Sequence, residues 1–298
     1  MQSQEEIQQL LALHYVYPLP LNKLQRLLCE IETLQKLPLI SAKELAKILQ
    51  IQLQTAQTLQ INYNKAVKTS FKAYYEQCSI HAIPFLSEHY PKSLLQLYDA
   101  PTVIYARGRL DLLQQIRKIA CIGSRNATNY STIALQSILP PLIAEQYVIV
   151  SGLAKGADTL AHRMTIELGG QTIAVVGHGF AHIYPKENKQ LTAKIAEEHL
   201  LLTEYPPYMG PKKWHFPMRN RIISGLSCAL VVTEAAMKSG TLITTDHALE
   251  HGKDVFVVPG PIHSEQSKGT NNLLKEGAIP VWNGQQIVEE LQMFQMKY

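Results

Sequence analysis

Cysteine is scarce and scattered. The four in 298 residues, Cys29, Cys78, Cys121 and Cys228, lie far apart, with no CxxC pair. Metal ligands and redox dithiols need thiols brought close together, so this spacing offers no local site for either. Each cysteine sits among apolar neighbours, as in Lys118-Ile119-Ala120-Cys121-Ile122, which predicts small core residues in a reducing cytoplasm. Long hydrophobic runs are also missing, since none approaches the roughly 20 residues of a membrane helix. The chain opens on Gln and Glu instead of a basic stretch before an apolar run, so neither a signal peptide nor a membrane anchor is expected. Charged residues make up only 17% against 46% hydrophobic, which suits a chain that buries a core and excludes a disordered one. The net charge of +4 is a weak pointer to an anionic partner.

One absence is local. From Tyr205 to Thr233 there is no acidic residue, while Lys212, Lys213, Arg219 and Arg221 all fall in that stretch. Tyr205, Tyr208, Trp214, His215 and Phe216 are interleaved with them. Cations track a phosphate backbone and flat rings stack on exposed bases, which holds a single strand without sequence preference. Each stacked base contributes about 1–3 kcal/mol, well above an exposed ion pair. Taken singly, Trp214 and Phe216 read as rings packed into a sheet. The basic cluster as a whole reads as a binding surface.

Two regimes divide the chain, residues 1–66 and 67–298. In the first, Leu10, Leu11 and Leu13, then Leu24, Leu27, Leu28 and Ile31, then Leu45, Ile48 and Leu49 recur with helical spacing. Pro18, Pro20 and Pro38 punctuate them, and Ser41 with Glu44 predicts a capping box. A helical link follows over Lys65–Glu76. Beyond it, short apolar runs alternate with helical stretches. Strands are expected at Ile80–Phe85, Val103–Ala106, Ile119–Gly123, Val148–Ser151, Thr172–Gly177, Leu200–Glu204, Ala229–Thr233, Val255–Pro259 and Ile279–Trp282. Most lack period-two alternation, as in strands buried on both faces. The fold class is therefore α/β, a Rossmann-like domain with a mostly parallel sheet behind a small all-α domain.

Several expected strand ends run into small-residue loops that open helices. Ile122-Gly123-Ser124-Arg125 is the first; a helix N-terminus there offers free N–H groups to a phosphate, and Arg125 adds a forked donor. Read alone, it is equally a turn with a solvated arginine. Ser151-Gly152-Leu153-Ala154-Lys155-Gly156-Ala157-Asp158, with His162, is the second. Asp158 and His162 at i, i+4 form a local pair more readily than a hydrolytic triad with Ser151, and no GxSxG elbow exists. Val176-Gly177-His178-Gly179 lacks the third glycine of a dinucleotide fingerprint, which argues against NAD. Ser239-Gly240-Thr241 is another helix start suited to an anion, with Lys253 beyond it. Glu234 reads as a base or, more simply, as an anchor for a neighbouring loop. Together these features predict a phosphate-binding edge without a nucleophile, a metal site or a cofactor.

At this point the sequence resembles the DNA-processing protein A (DprA, or Smf) family. The likeness rests on Gly123-Ser124-Arg125, on Ser151 to Asp158 with Ala161-His162, on Gly170 to Gly179 with Tyr184-Pro185, and on Phe216-Pro217-Met218-Arg219-Asn220-Arg221-Ile222-Ile223-Ser224-Gly225-Leu226-Ser227. Glu234-Ala235, Ser239-Gly240-Thr241, Val258-Pro259-Gly260 and Gly269-Thr270-Asn271 extend it over nearly all of residues 85–280. It implies a Rossmann-like domain that binds single-stranded DNA, forms a homodimer and loads the RecA recombinase during natural transformation. It implies no enzyme. Arg125 is the DNA contact the resemblance supports best, with Lys186, Lys212 and Lys213 as further contacts; Gly123, Ser124, Arg219, Arg221 and Lys253 complete the expected set. The first 66 residues are compatible with the family's SAM-like helical domain, although they lack a Gly-rich hairpin for duplex contact. Relatives often end in a winged helix, which is not expected here. A more distant likeness, of the Lys238-Ser239-Gly240-Thr241 region to the PGGxGT loop of nucleoside-monophosphate phosphoribohydrolases, leaves an alternative: a nucleotide-hydrolysing enzyme using Glu234 and Arg219.

Overall fold

The computed structural model describes residues 4–237 and 239–295; Lys238 lies outside them. The nine short runs all form strands: β1 (His81–Pro84), β2 (Val103–Gly108), β3 (Lys118–Ile122), β4 (Val148–Ser151), β5 (Thr172–Val175), β6 (Leu200–Thr203), β7 (Ala229–Val232), β8 (Asp254–Val257) and β9 (Ile279–Pro280). They make one sheet in the order β1-β2-β6-β5-β4-β3-β7-β8-β9. From β6 across to β9 every pairing is parallel. The exceptions are at one edge, where β2 pairs antiparallel with β6 and β1 antiparallel with β2.

The missing alternation has its expected cause. All five residues of β3 are buried. Ile119 and Cys121 enter the core on one face, while Ala120 and Ile122 enter the core on the other. Helices cover both faces. Leu135, Ile138, Leu139 and Leu142 of the helix Asn129–Ala144 pack on the first. Ile222, Ile223 and Leu226 of the helix His215–Leu226 pack on the second.

The N-terminal region is helical, with helices Gln4–Val16, Leu21–Ile31, Ala42–Leu49 and Leu53–Ala66. The capping box forms: Glu44 N–H donates to Ser41 Oγ over 3.2 Å, and Ser41 N–H to Glu44 Oε2 over 2.9 Å. The expected continuous link over Lys65–Glu76 is broken after Ala66, and a separate helix runs Phe71–Gln77. Phe71 and Tyr75 join the core of Leu10, Leu13, Leu24 and Leu27, and that core runs on to Val103 and Tyr105 of β2.

The cysteines correct the expectation of four core residues. Only Cys121 is buried; Cys78 is half-buried, and Cys29 and Cys228 are exposed. Cys29 lies two residues past Leu27, which turns it away from the face that Leu24, Leu27 and Ile31 bury. Among the described residues no helix is long and apolar enough to cross a membrane.

Candidate nucleic-acid interface

The sheet order locates the site. From β3 the chain winds outward through β4, β5 and β6 on one side, and returns through β7, β8 and β9 on the other. β3 and β7 therefore flank the topological switch point, and a crevice opens outside their carboxyl ends. A cleft of about 610 Å³ lies there, lined by Gly123, Ser124, Arg125, Tyr184, Lys213, Phe216, Arg219 and Gln266, among others.

The loop carrying Arg125 is locked from beneath. Ser124 O accepts from Ala127 N and Ala157 N. Its hydroxyl donates to Gln266 Oε1 over 2.5 Å and accepts from Asn126 N over 3.0 Å, so Ser124 holds the loop in shape. Gly156 sits at φ +77°, and a Cβ there would lie 2.3 Å from Ser124 O. Only glycine allows the two loops to meet this closely. Arg125 itself is exposed, forms no ion pair among the described residues, and lies over Phe216. Phe216 is half-buried and contacts the Tyr184 ring, with centroids 5.3 Å apart.

Behind Arg125 stands Arg219, which is buried and donates through Nη1 to the carbonyls of Gly152 and Val175. Burial pulls its pKa down to about 10, against the charge of Asp158. Burial raises the Asp158 pKa in turn, while Arg219 and the N–H groups of Gly152 and Ala154 oppose the rise. His162 bonds Thr172 Oγ1 over 2.7 Å while Asp158 accepts from Gly152 N and Ala154 N, so the expected local Asp158–His162 pair does not form, and neither does a triad.

The acid-free stretch splits into inner and outer rings. Tyr205 and His215 are buried and stacked on one another. Trp214 is 62% exposed, which corrects the expectation that it packs into the sheet. Lys212 Nζ lies 5.2 Å from its ring centre. Lys213 lines the cleft, and Lys186 follows Tyr184 and Pro185, which line its small inner recess.

Four of the expected contacts do not line the cleft: Lys186 and Lys212 adjoin lining residues in the sequence, whereas Arg221 and Lys253 lie away from it. Arg221 is buried on the other side of its helix, bonded to Asp99 over 2.9 Å and to Glu204 over 2.5 Å. Two residues along a helix is about 200° of rotation, so it cannot share the direction of Arg219. Lys253 immediately precedes β8, which places it at the amino-terminal rim of the parallel sheet, opposite the cleft.

Helix starts differ as well. That of Gly240–Glu250 borders the cleft, with Thr241 Oγ1 donating to Gly123 O over 3.0 Å. That of Asn129–Ala144 is closed by Glu234, which accepts from Thr128 N, Thr128 Oγ1 and Ser131 Oγ. Glu234 is thus the loop anchor of the two readings offered for it. Gln266, 142 residues from its partner Ser124, was missed because no local motif marks it.

Residues 81–292 match the family model of DNA recombination-mediator protein A. The chain is 44% identical over 226 residues to the DNA processing protein DprA of Bacillus subtilis (strain 168), covering 76% of each protein. To DprA of Streptococcus pneumoniae (strain ATCC BAA-255 / R6) it is 45% identical over 207 residues, 70% of this chain and 73% of that one. Among solved structures, DNA processing protein A from Streptococcus pneumoniae matches at a TM-score of 0.73 and 33% identity, over 97% of this chain and 98% of that one. DNA processing protein A from Helicobacter pylori, whose structure concerns its single-stranded DNA binding mode, matches at 0.65 and 32% identity, over 72% and 96%.

Proposed function

The chain belongs to the DNA recombination-mediator protein A family, and on that premise we propose that it binds single-stranded DNA in the cleft at the switch point of its sheet. The observation that carries this reading is the meeting of an unpaired, exposed Arg125 with Phe216, Tyr184 and Lys213 around one open cleft. Cations take the phosphates and ring faces take the bases, without base-edge readout. Lys186, Lys212 and Trp214 extend the path along the rim, with Gly123, Ser124 and Arg219 beneath it. Arg221 and Lys253 have no part in it.

Residues 1–66 form a SAM-like unit and residues 67–298 the DNA-binding body. In the cytoplasm a homodimer covers incoming single strands during natural transformation and passes them to RecA. Two cradles on one strand would give avidity without new contacts. The protein binds and does not catalyse. Glu234, the base a nucleotide hydrolase would need, spends its carboxylate oxygens on Thr128 and Ser131 at 1% exposure.

Gel shifts with single- and double-stranded DNA across a salt series test this. Preference for the single strand, with log K falling by about 0.7 per neutralised phosphate per decade of salt, is expected. Equal affinity for both forms would overturn it, and release of free base from nucleoside monophosphates would favour the hydrolase instead.

A further inference from the structure

The connection from β6 to the helix His215–Leu226 carries Lys212, Lys213 and Trp214, and its first half is tied to the N-terminal helices. At its start, His14 Nε2 donates to Glu204 O over 2.8 Å from the helix Gln4–Val16. Four residues on, Tyr208 Oη donates to Tyr15 O over 2.8 Å, and the two rings lie 4.8 Å apart. The same residue is fixed from a second side, because His182 Nε2 donates to Tyr208 O over 2.9 Å.

That contact belongs to a seam between two cleft loops. Gly179 N donates to Met209 O over 2.7 Å and Ala181 N to Pro207 O over 2.9 Å. A Cβ at Gly179 would fall 1.9 Å from Pro206 O, so the backbones are in direct contact. The loop holding Gly179 and His182 leads to Tyr184 and Lys186. Tyr208 thus stands where the N-terminal helices, the Lys212–Lys213 segment and the Tyr184–Lys186 segment meet.

We infer that Tyr208 is a positioning residue, through which the N-terminal helices hold the Lys212–Lys213–Trp214 segment in place for a polynucleotide. This rests on the reading of the cleft as a single-strand site. Flexible lysines must be ordered when they bind, and a segment already ordered by its neighbours loses less freedom at that moment. The helical region therefore assists binding without touching the strand.

The test is the affinity of the full chain for a labelled single-stranded oligonucleotide, by fluorescence anisotropy across a salt series. Tyr208→Ala is expected to weaken binding about fivefold, and Tyr208→Phe, which keeps the ring, by about twofold. The salt slope should flatten with Tyr208→Ala towards the loss of about 1.4 that removing two lysine contacts gives. In a Lys212→Ala/Lys213→Ala/Trp214→Ala background, Tyr208→Ala should add nothing. Unchanged affinity on Tyr208→Ala, or the same factor lost in both backgrounds, overturns the inference while leaving the cleft in place. If Arg125→Ala also leaves affinity intact, the cleft reading falls and this inference with it.

Discussion

The guanidinium carbon of Arg125 lies 5.4 Å from the centre of the Phe216 ring. The two lie about ninety residues apart, Arg125 in the loop following β3 and Phe216 in the first turn of the helix His215–Leu226. A cation above a ring face gains about 0.5–1 kcal/mol at an exposed site, enough to bias a flexible side chain towards one direction. The ring holds the fork over the cleft, where a phosphate would meet it.

Arg125→Ala is expected to weaken single-strand binding about tenfold and to flatten the slope of log K against log salt by about 0.7. Arg125→Lys keeps the charge and loses the fork, so the slope should persist while affinity falls less. Anisotropy titrations at several salt concentrations separate the two.

Arg221→Met acts on stability. It strands the buried Glu204 carboxylate and leaves Asp99 unpaired, a loss of about 3–5 kcal/mol for a broken buried pair. Thermal or urea unfolding should show it. The salt slope of DNA binding at low temperature should match the parent protein.

Gly156→Ala forces a side chain into a left-handed conformation with its Cβ 2.3 Å from Ser124 O. A cost of about 1–3 kcal/mol is expected, together with weaker single-strand binding, because the displaced loop carries Arg125. Gly169→Ala is the comparison: it has φ +74° but nothing within 4 Å of a Cβ, so it should destabilise without affecting affinity.

His14 gives a pH dependence. Burial lowers its pKa from 6.5 to about 4, against the raising effect of the hydrogen bond that His14 donates to the Glu204 carbonyl. The unfolded chain therefore takes up the proton first as pH falls. The stability that depends on a neutral ring is complete above pH 6.5 and drains away between 6.5 and 4, by about 1.4 kcal/mol per pH unit. Asp158 and Glu204, whose pKa values burial raises, act in the opposite direction as pH falls, so the comparison must be a difference. Urea unfolding of the parent minus that of His14→Gln should show this slope, and a flat difference would contradict it.

The strands were legible because each is a short apolar run, several of them closed by Gly, Pro or Ser, and the sheet buries both of its faces. Their ends drift by a residue or two, as with β9, expected to Trp282 and observed as Ile279–Pro280. No side-chain pattern says where pairing stops. The antiparallel turn of β2 against β6 had no signal, since the pairing partner of a strand is set by distant residues. The break after Ala66 was also hidden: Val67 to Ser70 carries no Gly or Pro, yet Phe71 and Tyr75 must reorient to reach the helical core.

Local order settled the alternation of strand and helix, and it put small residues, serines and Arg125 where strands hand over to helices. Those features depend only on neighbours in the chain, through side-chain periodicity and backbone freedom. Which cations share one cleft was a different matter. Arg219 and Arg221 are two positions apart and point oppositely, Lys253 falls on the far rim, and Trp214 emerges while Tyr205 is buried. Helix rotation and the order of strands in the sheet decide such things, and that order comes from pairings between segments far apart in the chain.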